Sequence, residues 1–263
     1  MLSVNNIEVV YNGIILVLRG VFLQVPDDAI VTLLGANGAG KSTFLKAVSG
    51  MLSTELGEVT NGNIEFNGED ITNNTPENIV RKGIIQVLEG RRLFEYLTVE
   101  QNLKVAARAR KTNHSAKRKL ELIYELFPRL KHLRKSISGY CSGGEQQMVV
   151  IGRALMGDPD VMLLDEPSIG LSPFVTQEIF KVLRSIHSDE KIDLLLVEQN
   201  AVIALDLADY GYIMENGRIV FDGTSEVLKN NEDIKEFYLG LNQVGGKKSY
   251  KNVKHYKRRK RWL

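Results

Sequence analysis

A glycine-rich segment, GANGAGKS at residues 35–42, constrains the fold of this chain more than any other feature. It fits the pattern G-x-x-x-x-G-K-[ST], in which the glycines let the backbone curl with its N–H groups facing a bound phosphate. The continuous apolar run Ile30–Leu34 precedes it, and Ser42–Val48 follows. We therefore predict a buried strand, a phosphate-binding loop and a helix whose N-terminus attracts the anion.

Individual positions of this phosphate loop have predicted roles in binding ATP and Mg²⁺. Lys41 is expected to reach the β- and γ-phosphates, and the hydroxyl of Ser42 is expected to ligate Mg²⁺. Tyr11, upstream of the loop, is a candidate for stacking on adenine, or else a packing residue at a strand end. The other predicted nucleotide-binding positions here are Gly35, Asn37, Gly38, Ala39, Gly40 and Thr43.

A second buried strand ends in two carboxylates. The apolar run Val161–Leu164 is followed directly by Asp165 and Glu166. In phosphate-loop enzymes, an aspartate at such a strand end binds Mg²⁺, and a neighbouring carboxylate can polarise the attacking water. We predict the metal role for Asp165 and the general-base role for Glu166.

The composition excludes several classes of protein. The chain has 263 residues, 43% hydrophobic and 25% charged, which suits one large α/β domain or a domain with an inserted subdomain. A formal net charge of only +2 gives no global attraction to nucleic acid. The single cysteine, Cys141, allows no disulfide within the chain and fits a reducing cytosol. No signal peptide is expected, and no stretch approaches the roughly 18 apolar residues that span a bilayer.

Strands and helices alternate along most of the chain, which predicts an α/β fold. We expect a phosphate-loop NTPase core with a mostly parallel sheet covered on both faces. An N-terminal antiparallel β portion is expected from Ser3–Val10 and Gly20–Val25, and a late hairpin from the turn Asn216-Gly217. Residues 1–86 and 159–240 are predicted to form the nucleotide-binding core.

The middle of the chain predicts an inserted α-helical subdomain, residues 87–158. Residues 98–133 show no strand-like alternation. Thr98 with Gln101 fits a capping box, and Pro128 marks the end or a kink of a helix.

The sequence CSGGEQQ at 141–147 narrows the class of phosphate-loop protein. It resembles the signature of the ABC family, usually written LSGGQ, and lies shortly before the acidic strand as that family requires. The hydroxyl of Ser142 and the backbone N–H groups of Gly143 and Gly144 can face a γ-phosphate at the start of a helix predicted over Gln146–Leu155.

The resemblance covers residues 1–240 and implies further roles. Gln86 is identified as the glutamine that contacts Mg²⁺ and the attacking water, and residues 167–172 as the D-loop. Three positions depart from the family pattern. Cys141 replaces a leucine, Ser172 an aspartate, and Gln199 the switch histidine. A glutamine can donate a hydrogen bond to a γ-phosphate but cannot become an imidazolium.

The residues at 142–147, 167–173 and 198–200 together resemble ATP-binding subunits of branched-chain amino-acid importers. Importers of urea and short amides share much of this pattern, so they remain an alternative. A soluble ABC ATPase acting on nucleic acid or ribosomes is a second alternative, although such proteins usually carry two fused cassettes or a long coiled-coil insertion. A regulatory module that holds ATP without turnover is a third.

The resemblance also implies partners. Two subunits, as a homodimer or a heterodimer with a related ATP-binding subunit, would meet head to tail with ATP between them. They would lie peripherally on the cytoplasmic face of the membrane, on two transmembrane permease subunits served by an extracytoplasmic solute-binding protein. Residues 89–96 are the candidate contact surface for a permease, or else a mobile polar loop.

The C-terminal tail, residues 241–263, has an unusual charge. From Lys247 onward it carries nine Lys or Arg and no Asp or Glu. Such a tail is either a solvated, disordered end or a ligand of anionic lipid headgroups, where each basic residue adds about 1 kcal/mol. RNA binding is a competing interpretation. Deleting residues 247–263 is predicted to spare ATPase activity and to reduce membrane association.

Overall fold

The computed structural model describes residues 1–109, 115–232 and 234. The basic tail, with its predicted lipid contact, lies outside these residues. The described strands are β1 (Leu2–Tyr11), β2 (Ile15–Val25), β3 (Ile30–Leu34), β4 (Gly57–Phe66), β5 (Glu69–Asp70), β6 (Ile84–Val87), β7 (Val161–Asp165), β8 (Asp193–Glu198), β9 (Tyr210–Glu215) and β10 (Arg218–Thr224). The described α-helices are α1 (Lys41–Val48), α2 (Pro76–Lys82), α3 (Val99–Val105), α4 (Ala116–Leu126), α5 (Pro128–His132), α6 (Gly143–Met156), α7 (Pro173–Glu190), α8 (Ala201–Leu207) and α9 (Ser225–Asn230).

The central sheet has the strand order β10-β9-β3-β8-β7-β6. All its pairs are parallel except β10 with β9. β3, β7 and β8 are buried along their whole length, as expected for strands covered on both faces. This sheet confirms the predicted α/β core and brings the carboxyl ends of β3, β7 and β8 to one edge.

A second sheet, with the order β2-β1-β4-β5, is antiparallel and confirms the predicted N-terminal β portion. β4 begins at Gly57, six residues before the strand predicted at Asn63–Phe66. The segment Asn61-Gly62 resembles a turn in sequence. In the structure it forms an irregularity within β4, where a Cβ on Gly62 would lie 2.4 Å from the Asn5 carbonyl oxygen.

Helices α3 to α6 follow β6, where a helical insertion was predicted. Thr98 and Gln101 form the predicted capping box at the start of α3. α4 ends at Leu126, and Pro128 begins α5 after the single residue Phe127. α6 starts at Gly143, so the prediction of a start at Gln146 was three residues late. None of the helices in the described part of the chain is long and apolar enough to span a bilayer.

Candidate active site

The phosphate loop joins the carboxyl end of β3 to α1, and both sheets fix its backbone. The N–H of Gly217, in the turn between β9 and β10, donates to the Ala39 carbonyl at 2.8 Å. The Gly217 carbonyl accepts the N–H of Arg19 of β2 at 2.8 Å. Gly35 lies so close to β9 that a Cβ there would be 2.5 Å from the Met214 carbonyl oxygen. The loop is therefore held by backbone contacts, independently of any ligand.

Lys41 points back into this loop and is only 5% exposed. Its ammonium donates to the carbonyl oxygens of Gly35 at 2.9 Å and Ala36 at 3.3 Å. It also lies 3.2 Å from Oε1 of Glu166. A buried ammonium needs such partners, and the Glu166 carboxylate supplies the opposite charge. The lysine and the predicted base therefore form one buried pair.

Ser42 and Asp165 meet beside this pair. Oγ of Ser42 donates to Oδ1 of Asp165 at 3.4 Å. Burial, with repulsion from Glu89 and Glu166, raises the pKa of Asp165 to about 6, although Ser42 and Lys41 partly oppose the shift. A hydroxyl and a carboxylate held side by side are oxygen ligands of the kind that Mg²⁺ accepts.

The raised pKa of Asp165 makes the stability of the nucleotide-free protein depend on pH. Its folded pKa of about 6 exceeds the ordinary value of 3.8, so stability is lost as the pH rises from about 4 to about 6. We expect Asp165→Asn, which removes the charge, to raise the free energy of unfolding by about 2–3 kcal/mol at pH 8 and to change it little at pH 4. Urea titrations in EDTA at both pH values measure this. The exposed Asp189→Asn is the control, and an equal gain at both pH values would contradict the cause given.

Glu166 follows β7 in a left-handed backbone conformation, with φ 45°. Its N–H donates to the Val197 carbonyl of β8 at 2.9 Å. Such a conformation is uncommon for a residue with a side chain and is concentrated at functional sites. Here it accompanies the contact of the carboxylate with Lys41.

Glu198, at the end of β8, is a residue to which the sequence patterns assigned no role. It is 2% exposed, and its carboxylate accepts the N–H of Ser168 in the D-loop at 3.0 Å. Burial raises its pKa, while the hydrogen bonds from Ser168 oppose the shift. The sequence contained a pattern that could have identified Glu198. An acidic residue ends the buried apolar strand β8 here, just as Asp165 ends β7. The predicted switch residue, Gln199, follows Glu198 and is exposed.

Gln86 lies in β6, paired in register with Leu163 of β7. Its side-chain oxygen and nitrogen are buried and have no hydrogen-bond partner among the described residues. A buried amide without partners is costly, so its position fits the predicted contacts with Mg²⁺ and the attacking water. The described residues contain no group of three or more His, Cys, Asp or Glu that could hold a metal ion. Mg²⁺ commonly binds through one or two carboxylates, waters and phosphate oxygens instead.

The signature turn, residues 141–147, caps α6 with Ser142. The Ser142 hydroxyl accepts the N–H of Glu145 at 3.4 Å, and the Ser142 N–H donates to Glu145 Oε2 at 2.8 Å. The other oxygen of Glu145 accepts Nε of Arg129 at 2.5 Å. The Ser142 hydroxyl keeps its own O–H for a further acceptor. No hydrogen bond or ion pair of the described residues links this turn to the phosphate loop.

Tyr11 ends β1 and is half-buried. A Cβ on the neighbouring Gly57 of β4 would lie 2.7 Å from Cε1 of its ring, so the ring packs against that strand. Its role toward adenine stays a prediction.

These features define the class of the protein. A strand, phosphate loop and helix, carboxylates at the ends of neighbouring parallel strands and a serine-capped signature helix together are typical of an ATP-binding cassette.

Comparison with known proteins agrees with this class. The sequence pattern of the ABC transporter family matches residues 18–169. The chain is 43% identical to the high-affinity branched-chain amino acid transport ATP-binding protein BraG of Pseudomonas aeruginosa, over 91% of this chain and 100% of BraG. It is 34% identical to the probable branched-chain amino acid transport ATP-binding protein LivF of Archaeoglobus fulgidus, over 86% and 93% of the two chains.

A solved structure agrees as well. The ADP conformation of MJ1267, an ATP-binding cassette of an ABC transporter, superposes with a TM-score of 0.75 at 28% identity, over 91% of this chain and 98% of that one. The chain therefore belongs to the ABC transporter family. Within that family it is an ATP-binding subunit, an ATPase.

Proposed function

We propose that this chain hydrolyses ATP to drive the import of branched-chain amino acids. The observation that carries the proposal is the buried cluster of Lys41, Ser42, Asp165 and Glu166, in a chain that aligns with the full length of BraG. The contacts of Lys41 with Glu166 and of Ser42 with Asp165 support this proposal, because phosphate binding, metal binding and activation of water need such groups close together.

Each side chain has one task in this proposal. The loop N–H groups and Lys41 would bind the β- and γ-phosphates, and Ser42, Asp165 and Gln86 would hold Mg²⁺. When bound there, the metal would supply positive charge against the phosphates. Glu166 accepts a proton from the attacking water once phosphate oxygens have replaced it as the partner of Lys41.

The proposed working unit contains two cassettes. The signature turn of each subunit covers the phosphates bound by the other, which fits the separate sets of hydrogen-bond partners of Ser142 and Lys41 among the described residues. The pair lies on the cytoplasmic face of the membrane against two permease subunits, and an extracytoplasmic solute-binding protein delivers the solute. Hydrolysis removes the phosphate that both subunits contact and shifts the population toward the open pair.

Reconstitution tests the proposed solute. A tagged chain is purified from solubilised native membranes with its copurifying permeases and placed in liposomes with ATP inside. We expect uptake of labelled leucine, isoleucine or valine once the solute-binding protein is added outside. Labelled urea and acetamide serve as matched solutes. Uptake of these compounds without uptake of the amino acids would contradict the proposal and favour an amide importer.

A further inference from the structure

Arg91, in the loop between β6 and α3, lies directly over the signature turn. A Cβ on Gly143 would be 2.8 Å from its Nη1 and 3.2 Å from its Cζ. Its Nη2 donates to the carbonyl oxygens of Ile169 at 2.7 Å and Gly170 at 3.2 Å. One guanidinium therefore contacts both the D-loop and the start of α6 from the loop that follows Gln86.

The charge of Arg91 has no carboxylate partner. No Asp or Glu of the described residues forms an ion pair with it, and its Nε is buried without a hydrogen-bond partner among those residues. Carbonyl oxygens accept hydrogen bonds but do not neutralise a guanidinium. A buried donor left without a partner is costly, so this side chain is suited to an additional acceptor.

The start of α6 beside Arg91 favours an anion as that acceptor. Gly143 is the first residue of α6, and a helix N-terminus carries partial positive charge on its free N–H groups. The guanidinium beside it adds positive charge at the same place, and the two together attract an anion. A cleft of about 370 Å³ lies next to Arg91, so the guanidinium can be reached from outside. Glu89 and Glu95 also line this cleft, although neither forms an ion pair with Arg91.

The backbone keeps Arg91 in this place. Gly90 and Arg91 both have positive φ, 81° and 50°, and so does Gly170, at 65°. A left-handed conformation is uncommon for an arginine. The two hydrogen bonds to the D-loop hold the Arg91 side chain in place.

We propose that Arg91 contacts the γ-phosphate of the nucleotide bound by the opposing subunit, beside Ser142. This inference rests on the head-to-tail pair of the proposed function. The Ser142 hydroxyl, the N–H groups of Gly143 and Gly144 and the free donors of Arg91 would surround the same phosphate. Charge-assisted hydrogen bonds of this kind are about twice as strong as neutral ones. Because Arg91 also holds Ile169, the presence of the phosphate is transmitted to the D-loop.

The test measures ATP-dependent association of the full chain. Glu166→Gln serves as the background because it prevents turnover, and the dimer dissociation constant is determined with ATP and with ADP by analytical ultracentrifugation. We expect Arg91→Gln to raise this constant at least about tenfold with ATP. Arg91→Lys, which keeps the charge, should stay within about threefold. Arg92→Gln, which removes an exposed charge one residue away, should match the background.

A second measurement separates phosphate contact from folding. The affinity of the monomer for a fluorescent ATP analogue should be unchanged in every Arg91 variant, since the phosphate loop of the same chain binds it. Equal weakening of association by Arg91→Gln and Arg91→Lys would overturn the proposal. Both substitutions remove the guanidinium that donates to the Ile169 and Gly170 carbonyls, so an equal loss would indicate a role in supporting the D-loop only. Unchanged association in Arg91→Gln would overturn it too. If Arg91→Gln did not fold, Arg91→Lys would decide alone, and a tenfold loss of association would overturn the proposal.

The Glu166→Gln background tests the proposed pair itself. If this background did not associate with ATP, the head-to-tail pair would be wrong, and so would the inference about Arg91.

Discussion

Replacing Glu166 by glutamine should lower kcat for ATP hydrolysis by about 10²–10⁴-fold, the usual contribution of a general base. Glutamine keeps the size and the hydrogen-bonding oxygen of the side chain but cannot accept the proton of water. The affinity for ATP should stay near that of the unchanged chain, because the phosphate loop and Lys41 remain. ATP-bound dimers should then accumulate, since the phosphate shared by the two subunits is no longer removed.

Phosphate release and sedimentation on the same samples measure both effects. Glu190→Gln, an exposed substitution in the last turn of α7, is the matched control and should leave kcat unchanged. A kcat within about tenfold of the unchanged chain would remove the base role from Glu166. The buried Glu198 would then be the next carboxylate to replace.

Lys41→Met should have the second large effect, on nucleotide affinity and on stability. The loss of a buried charge contact to phosphate costs several kcal/mol, so ATP affinity should fall at least about 100-fold. The same change leaves Glu166 without a cation in a site that also holds Asp165. We expect the free energy of unfolding to fall by about 3 kcal/mol. Nucleotide titration and urea unfolding measure the two losses.

A double-mutant cycle isolates the buried pair. Adding Glu166→Gln to Lys41→Met removes the uncompensated carboxylate, so most of the lost stability should return while ATP affinity stays low. Lys46→Met is the control, because Lys46 lies in the last turn of the same helix and pairs with the exposed side chain of Glu55 at 2.6 Å. It should change stability by less than about 1 kcal/mol. Strict additivity of the stability losses at 41 and 166 would argue that the two charges do not interact.

Local signals in the sequence located much of the candidate site. The phosphate loop was predictable because a buried strand, closely spaced glycines and a lysine are consecutive in the chain. The capping box at Thr98 was predictable for the same reason, since both of its hydrogen bonds join residues three apart. The start of α6 was missed because two glycines at 143 and 144 disfavour helix interiors. They are tolerated in the first turn, where Ser142 and Glu145 cap the helix.

Contacts between distant parts of the chain were not predictable in this way. Arg91 meets the D-loop 78 residues later, and Glu198 meets Ser168 from 30 residues away. Nothing in either local sequence specifies such a partner, because the contact depends on how β6, β7 and β8 are ordered in the sheet. The pKa of Asp165 depends on tertiary structure as well, since burial and two acidic neighbours raise it. Sequence patterns therefore named the residues of the candidate site, and the fold was needed for their electrostatics.

The way in which the turn at Gly217 holds the phosphate loop has an evolutionary consequence. Every bond in that support, from Arg19 through Gly217 to Ala39, joins main-chain atoms. Side chains along β2 and β10 can thus diverge among paralogues without altering the cradle for the triphosphate. No side chain fits at Gly217 itself, because a methyl group there would lie 1.8 Å from the Val17 carbonyl oxygen. Substitutions of the side chains along these two strands should consequently be tolerated far better than any substitution of Gly217.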